Sequence, residues 1–194
     1  DKSKTLIRRK TADNTGSLME MAVTMLDTKD VLPRVENPAA YGDTREKRYE
    51  TIALELCITW TNRILFLKLL EAQLVGYHEG DQAYRFLNLA IVRDFDELFA
   101  LFHQVLAKTA IERKPAIRDK FVRVPYLNSS LFEPTDLENQ TITIESLKDH
   151  ERLAVIGTSI LKKLGEKAAS LPTLEYLFRF LDAYDFASEG KDDI

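Results

Sequence analysis

The stretch between Gly42 and Gly76 constrains this chain more than any other, because it contains neither Gly nor Pro, the residues that most readily interrupt a helix. Within it Tyr49, Ile52, Ala53, Leu56, Trp60, Ile64, Leu67, Leu70 and Leu74 recur every three or four residues, the period that puts side chains on one face of an α-helix. The spacing predicts a single helix of about 45–50 Å at 1.5 Å per residue. Its second half, Ile64 to Leu70, is apolar nearly all round. Such a helix is expected to run through the middle of a bundle, with Trp60, Phe66, Leu67 and Leu70 buried.

Shorter patterns flank it. Leu18, Met21, Ala22, Met25 and Leu26 follow Gly16-Ser17 at helical spacing and stop before Pro33, and residues 33–43 read as a loop. Further helices are expected at 81–90, at 95–109 behind an Asp94 N-cap, and at 151–164 and 173–184. Phe121-Val122-Arg123-Val124 and Thr141-Ile142-Thr143-Ile144 alternate instead, with Pro125 and Asn128-Ser129-Ser130 supplying turn chemistry between them. The expected fold is mainly α, an irregular helical bundle around one long central helix with a small β-hairpin-like element near residues 121–144. The chain divides into a basic lead-in at 1–15, a helical bundle at 16–110 and a mixed segment at 111–194.

With 194 residues, 45% of them apolar and only seven Gly and six Pro, the chain can bury a core without covalent staples. The single Cys57 excludes an internal disulfide and fits a reducing, cytoplasmic compartment. No apolar run approaches the roughly 20 residues of a membrane span. The opening Asp1-Lys2-Ser3-Lys4 is neither a signal peptide nor an initiator, so the chain is expected to be a piece of a longer protein.

Net charge is −4 but unevenly spread. Lys108, Arg113, Lys114, Arg118, Lys120 and Arg123 crowd around Pro115 against only Glu112 and Asp119, while residues 182–194 are acidic. That balance excludes a globally basic DNA-binding module and leaves these six cations as candidate DNA phosphate contacts.

Catalytic sets are missing. Asp94 or Asp96 followed by Glu112-Arg113-Lys114 has the spacing of a Mg²⁺-dependent nuclease. A helix between them would hold its ends about 22–25 Å apart, whereas a shared cation needs oxygens at about 2.1 Å. Asn37-Pro38-Ala39-Ala40-Tyr41 lacks the second Pro and adjacent aromatic of an amino-methyltransferase loop, and no Gly-rich strand-to-helix turn is present for an adenosyl cofactor. His78, His103 and His150 have no His or Cys at ligand spacing. Cys57 reads as an inert core thiol. No catalytic, cofactor-binding or metal-binding residue is expected in this chain.

The run Phe121-Val122-Arg123-Val124-Pro125-Tyr126-Leu127-Asn128-Ser129-Ser130-Leu131-Phe132-Glu133 and the later Leu177-Phe178-Arg179-Phe180-Leu181-Asp182-Ala183-Tyr184-Asp185-Phe186 resemble the segment just upstream of the methyltransferase core in bifunctional type IIG (type IIS) restriction-modification enzymes. There a PYLN(G/S)(G/S)LFE stretch precedes FLxxYDF. Glu50–Leu56, Trp60–Leu74 and Asp94–Phe99 look similar to the same region. The resemblance implies a parent enzyme with a Mg²⁺-dependent endonuclease, a helical connector, an adenine-N6 methyltransferase using S-adenosylmethionine, and a target-recognition region. It implies for this chain the connector role, with double-stranded DNA and the flanking nuclease and methyltransferase domains as partners. The alternative is a helical protein-protein interaction module whose long helix supplies the groove.

Overall fold

The computed structural model describes residues 14–186, so most of the basic lead-in at 1–15 and the part of the acidic end beyond residue 186 lie outside the described residues. Helix α1 (Leu18–Thr28) starts where Ser17 Oγ accepts the Glu20 N–H, and it packs against the long α2 (Arg45–Tyr77). Thr44 caps α2 by accepting the Lys47 N–H. The helix runs for 33 residues, about 50 Å at 1.5 Å each. Its buried face holds Tyr49, Ile52, Ala53, Leu56, Trp60, Ile64 and Leu67, as the periodicity predicts.

The outer face differs from expectation. Trp60 and Leu67 are fully buried and Leu70 packs against the core, but Phe66 is 39% exposed and Leu54, Ile58, Leu65 and Leu69 also face outward. The apolar run is therefore not covered all round. Phe66 touches the core edge-on, its ring centroid 5.6 Å from that of Phe132.

Beyond α2 the elements are short. α3 (Phe95–Ala100) begins at the Asp94 cap and passes directly into a π-helical turn, Leu101–Leu106, so the expected 95–109 helix exists but with a wider last section. Then follow α4 (Pro115–Lys120), α5 (Asp136–Gln140), β1 (Arg152–Ala154), α6 (Ile160–Lys163), β2 (Ser170–Pro172) and α7 (Thr173–Asp182). Residues 81–90 hold only a 3-10 turn, Gln82–Tyr84. The cause is local competition: the Glu71 carboxylate takes the Phe86 and Leu87 N–H groups at 2.7 and 2.6 Å, which a helix would need for itself.

The mainly α fold with a small two-stranded element stands, but the strands lie elsewhere than 121–144. β1 and β2 pair antiparallel, Leu153 opposite Leu171; β1 falls in the segment expected to be helical at 151–164, and β2 falls between the two expected helices. Around 121–144 the backbone is committed to other partners. Leu127 N–H bonds the Leu106 carbonyl, Arg113 takes the Val124 carbonyl, and Ile144 enters a 3-10 turn. Gly16 crosses against β1 so closely that a Cβ there would stand 2.2 Å from the Arg152 carbonyl oxygen, which requires Gly at that point. One core joins α1, α2, α3 and α7 to Phe121, Phe132 and Ile144, and a smaller one gathers Val155, Leu161 and Leu171.

Candidate functional site

Two buried charged clusters hold α2 to the rest of the domain. Arg63, 0% exposed, pairs in bidentate fashion with Glu138, Nη1 to Oε1 at 2.7 Å and Nη2 to Oε2 at 2.9 Å. Its remaining donors reach the Leu131 and Glu133 carbonyls, both at 2.7 Å. Trp60 Nε1 donates to Glu138 Oε1 at 2.8 Å, and Glu138 also completes a capping box with Thr135. Burial alone raises the Glu138 pKa, but the bonds from Arg63, Thr135 and Trp60 outweigh it and hold the carboxyl below its ordinary value. All three nitrogens of the Arg63 guanidinium bond protein oxygen and the group is fully buried, so the cluster fastens the 131–138 segment to α2.

The second cluster does the same for the chain's end. Lys68 Nζ bonds Glu71 at 2.8 Å and Asp182 at 2.5 Å, and Arg85 also reaches Asp182. The FLDAYDF stretch is thus tied to α2 through its first Asp.

The six candidate phosphate contacts separate into two groups. Arg118 pairs with Asp119, Lys120 with Glu97, and Arg123 donates to the Ala83 carbonyl at 2.8 Å with its guanidinium over the Tyr84 ring. Glu97, held by Arg93 and Lys120 against the opposing effect of burial, has its pKa lowered to about 2. Lys108, Arg113 and Lys114 instead line one recess of about 380 Å³, together with His103, Gln104 and Glu112. Lys108 and Lys114 are exposed at its rim. Arg113 is only 6% exposed and spends Nε on the Lys108 carbonyl and Nη1 on the Val124 carbonyl. Among the described residues no carboxylate lies within ion-pair distance of it. Burial accordingly lowers its pKa, although a guanidinium remains charged.

His103 comes from the π-helical turn and is 7% exposed. Its Nδ1 lies 2.7 Å from the Phe132 carbonyl oxygen, which can only accept, so the ring proton sits on Nδ1 and Nε2 presents a lone pair. That Nε2 is buried and without a partner. Phe99 covers the ring at 4.5 Å between centroids. Burial and the nearby Arg63 charge lower the imidazole pKa, against the Phe132 bond and Glu138, which raise it.

A pH dependence follows. The unfolded chain takes up a proton on His103 near its ordinary value of about 6.5, while the fold resists it, so stability is complete above that value and is lost as pH falls below it. Urea unfolding across about pH 5–8 should show this loss in the wild type. His103→Asn, whose amide can keep the bond to the Phe132 carbonyl, should flatten the profile. Identical profiles would mean that the proton uptake lies elsewhere.

The other sequence candidates stay apart from this recess. Asn37 and Tyr41 line a separate recess of about 480 Å³ whose charged side chains, Glu36, Glu55 and Asp136, are all acidic. Asp94 caps α3, accepting the Glu97 N–H at 2.7 Å. Cys57 is half-buried, and burial pushes its thiol up to about 12, which makes thiolate chemistry unfavourable. Among the described residues no group of three His, Cys, Asp or Glu side chains could hold a metal ion, and no helix is long and apolar enough to cross a membrane.

His103 carries no signal of this placement in the sequence, where ligand spacing asks for other His or Cys residues nearby. Its hydrogen bond to a main-chain carbonyl 29 residues away leaves no local pattern. The Arg63–Glu138 pair had a weak signal, a charged residue inside the apolar period of α2.

Fold and sites together define a mainly helical domain organised on one long helix, with a two-stranded ribbon and a cation-lined recess. The chain belongs to the family described as Domain of unknown function (DUF7814), whose model matches residues 1–194. No curated protein and no solved structure matches it.

Proposed function

We propose that this domain is a non-catalytic connector of a DNA restriction-modification enzyme, holding an endonuclease and an adenine-N6 methyltransferase at a fixed separation on double-stranded DNA in the cytoplasm. The observation that carries the reading is where the buried charges lie. Arg63 and Lys68 belong to the Trp60–Leu74 stretch, their partners at 131–138 lie in or just beyond the PYLN stretch, and Asp182 lies in FLDAYDF. Arg63 fastens the PYLN stretch through the Leu131 and Glu133 carbonyls and, just beyond it, forms a fully buried bridge to Glu138, while Lys68 reaches the partly exposed Asp182 of FLDAYDF; ties of this kind suit a rigid spacer. Mg²⁺ and S-adenosylmethionine belong to the flanking domains, and Lys108, Lys114 and Arg118 face outward to meet DNA phosphates without reading sequence.

A second reading, a helical protein-protein interaction module, is favoured by one observation. Leu54, Ile58, Leu65 and Leu69 fall on one outward strip of α2, more apolar surface in one place than scattered residues produce.

The full-length gene product tests the connector. Supplied with DNA, Mg²⁺ and labelled S-adenosylmethionine, it should cut and methylate, whereas the 194-residue chain should do neither and should bind two unrelated duplexes equally, with affinity falling steeply as salt rises. Hydrogen exchange along the Leu54–Leu69 strip should be slower in the full-length protein than in the isolated domain. A full-length protein with neither activity removes the connector reading, and unchanged exchange favours a separate partner.

A further inference from the structure

The outward strip of α2 has a composition unlike the rest of the surface. Leu54 is 39% exposed, Ile58 53%, Leu65 37% and Leu69 46%. Among the exposed positions from Leu54 to Gly76 only Glu55 is charged, in a chain where charged residues make up 30%. Apolar side chains with charge depleted around them are characteristic of the centre of a protein interface.

The spacing selects the partner. From Leu54 the strip steps four residues to Ile58, seven to Leu65 and four to Leu69, so it reads the same from either end about a midpoint between Thr61 and Asn62. A two-fold axis through that midpoint sets two copies of α2 antiparallel, and such an interface places residue i on j and j on i. Leu54 then meets Leu69 of the second copy, and Ile58 meets Leu65. Thr61 and Asn62, both exposed, meet at the axis, where a polar pair among apolar ones fixes the register.

Charge agrees with the antiparallel order. Lys47 stands seven residues before Leu54, two helical turns away on the same face. Its side chain is 64% exposed and has only a 3.8 Å approach to Glu50. The last turn of α2 holds no basic residue, and Glu79 just beyond it is exposed and makes no ion pair among the described residues. The two-fold brings each Lys47 to the C-terminal end of the other α2, where Glu79 and the helix dipole are both negative. A parallel pair would set Lys47 against Lys47.

We propose that α2 docks on α2 of a second copy of this chain through the Leu54–Leu69 strip, antiparallel about a two-fold axis between Thr61 and Asn62. This rests on the second reading given above and names its partner. Four half-exposed aliphatic side chains per copy make a small core beside the roughly 800 Å² per partner of a standard interface, so the pair is weak and forms at high micromolar concentration. Below that concentration the strip is open, and the exchange comparison above reads the flanking domains alone.

Sedimentation velocity of the 194-residue chain from about 1 µM to about 1 mM, the span of weak association, should show monomer passing into dimer and no larger species. Leu65→Glu, at an exposed position, should stay monomeric throughout, with its urea midpoint at low concentration unchanged. Disulfides in a Cys57→Ser background read the orientation. Ile58→Cys and Leu65→Cys chains should cross-link when mixed and not separately, because each position faces the other across the axis and stands about 10 Å along the helix from its own copy. A chain monomeric at every concentration, a dimer that Leu65→Glu leaves unchanged, or cross-linking of each variant with itself overturns the proposal. A monomeric chain whose strip exchanges no slower in the full-length protein loses the second copy but keeps the module reading, with a different protein as partner; a monomeric chain whose strip is slowed there loses both.

Discussion

Glu138→Ala is expected to cost about 3–5 kcal/mol of folding stability, the range found when one member of a buried ion pair is removed. The substitution leaves the fully buried Arg63 guanidinium facing only the Leu131 and Glu133 carbonyls, deprives Trp60 Nε1 of its acceptor, and opens the Thr135 capping box. The loss should be visible as a lower urea midpoint with little change in slope. A control separates charge from packing: replacing Arg63 and Glu138 together by Met should recover much of the loss, because the desolvation cost disappears with both charges. If the double variant is no more stable than Glu138→Ala, the pair is not the reason for the loss.

Leu67→Ala should cost about 2–5 kcal/mol, the usual result of emptying a core site that collapses only partly. Leu67 is 0% exposed on the face of α2 opposite the outward strip, in the same core as Trp60 and Ile64. Leu69→Ala, two residues along and on the open side, is the matched comparison and should stay within about 0.5 kcal/mol. Equal losses at the two positions would show that the inward and outward faces of α2 have been exchanged.

The contrast between these two leucines also marks how far the sequence could be read. Helix α2 was legible because its apolar period is unbroken from Tyr49 to Leu74, about seven turns, with no Gly or Pro between Gly42 and Gly76. Which side of its apolar second half faces out was not, since Ile64 to Leu70 offers apolar residues in every direction and only the neighbouring elements decide. The ribbon was legible in kind and misplaced in position: alternation at 121–124 and 141–144 is a local signal, but Pro125 cannot donate and the surrounding carbonyls and amides are claimed by Leu106 and Arg113. Residues 81–90 failed for a similar reason, a single buried carboxylate 15 residues upstream taking the amides a helix would use. At the candidate site, the basic cluster was visible as composition. That Arg113 turns inward while Arg118 and Arg123 do not was invisible, because it depends on the carbonyls of residues brought near by folding.

The buried pairs have a consequence for synthesis in the cell. Arg63 meets a partner 75 positions later in the chain, and Lys68 meets Asp182 after 114. At translation speeds of about 5–20 residues per second, α2 spends on the order of 4–15 s on the ribosome with the Arg63 charge on its inner face and no Glu138 to neutralise it, whereas Lys68 has Glu71 three residues on. During that wait the inner face cannot be dehydrated cheaply, so premature collapse onto α2 is discouraged. The same charges that fasten the finished domain thus act as a timer, delaying closure of the core until the residues that complete it have been made.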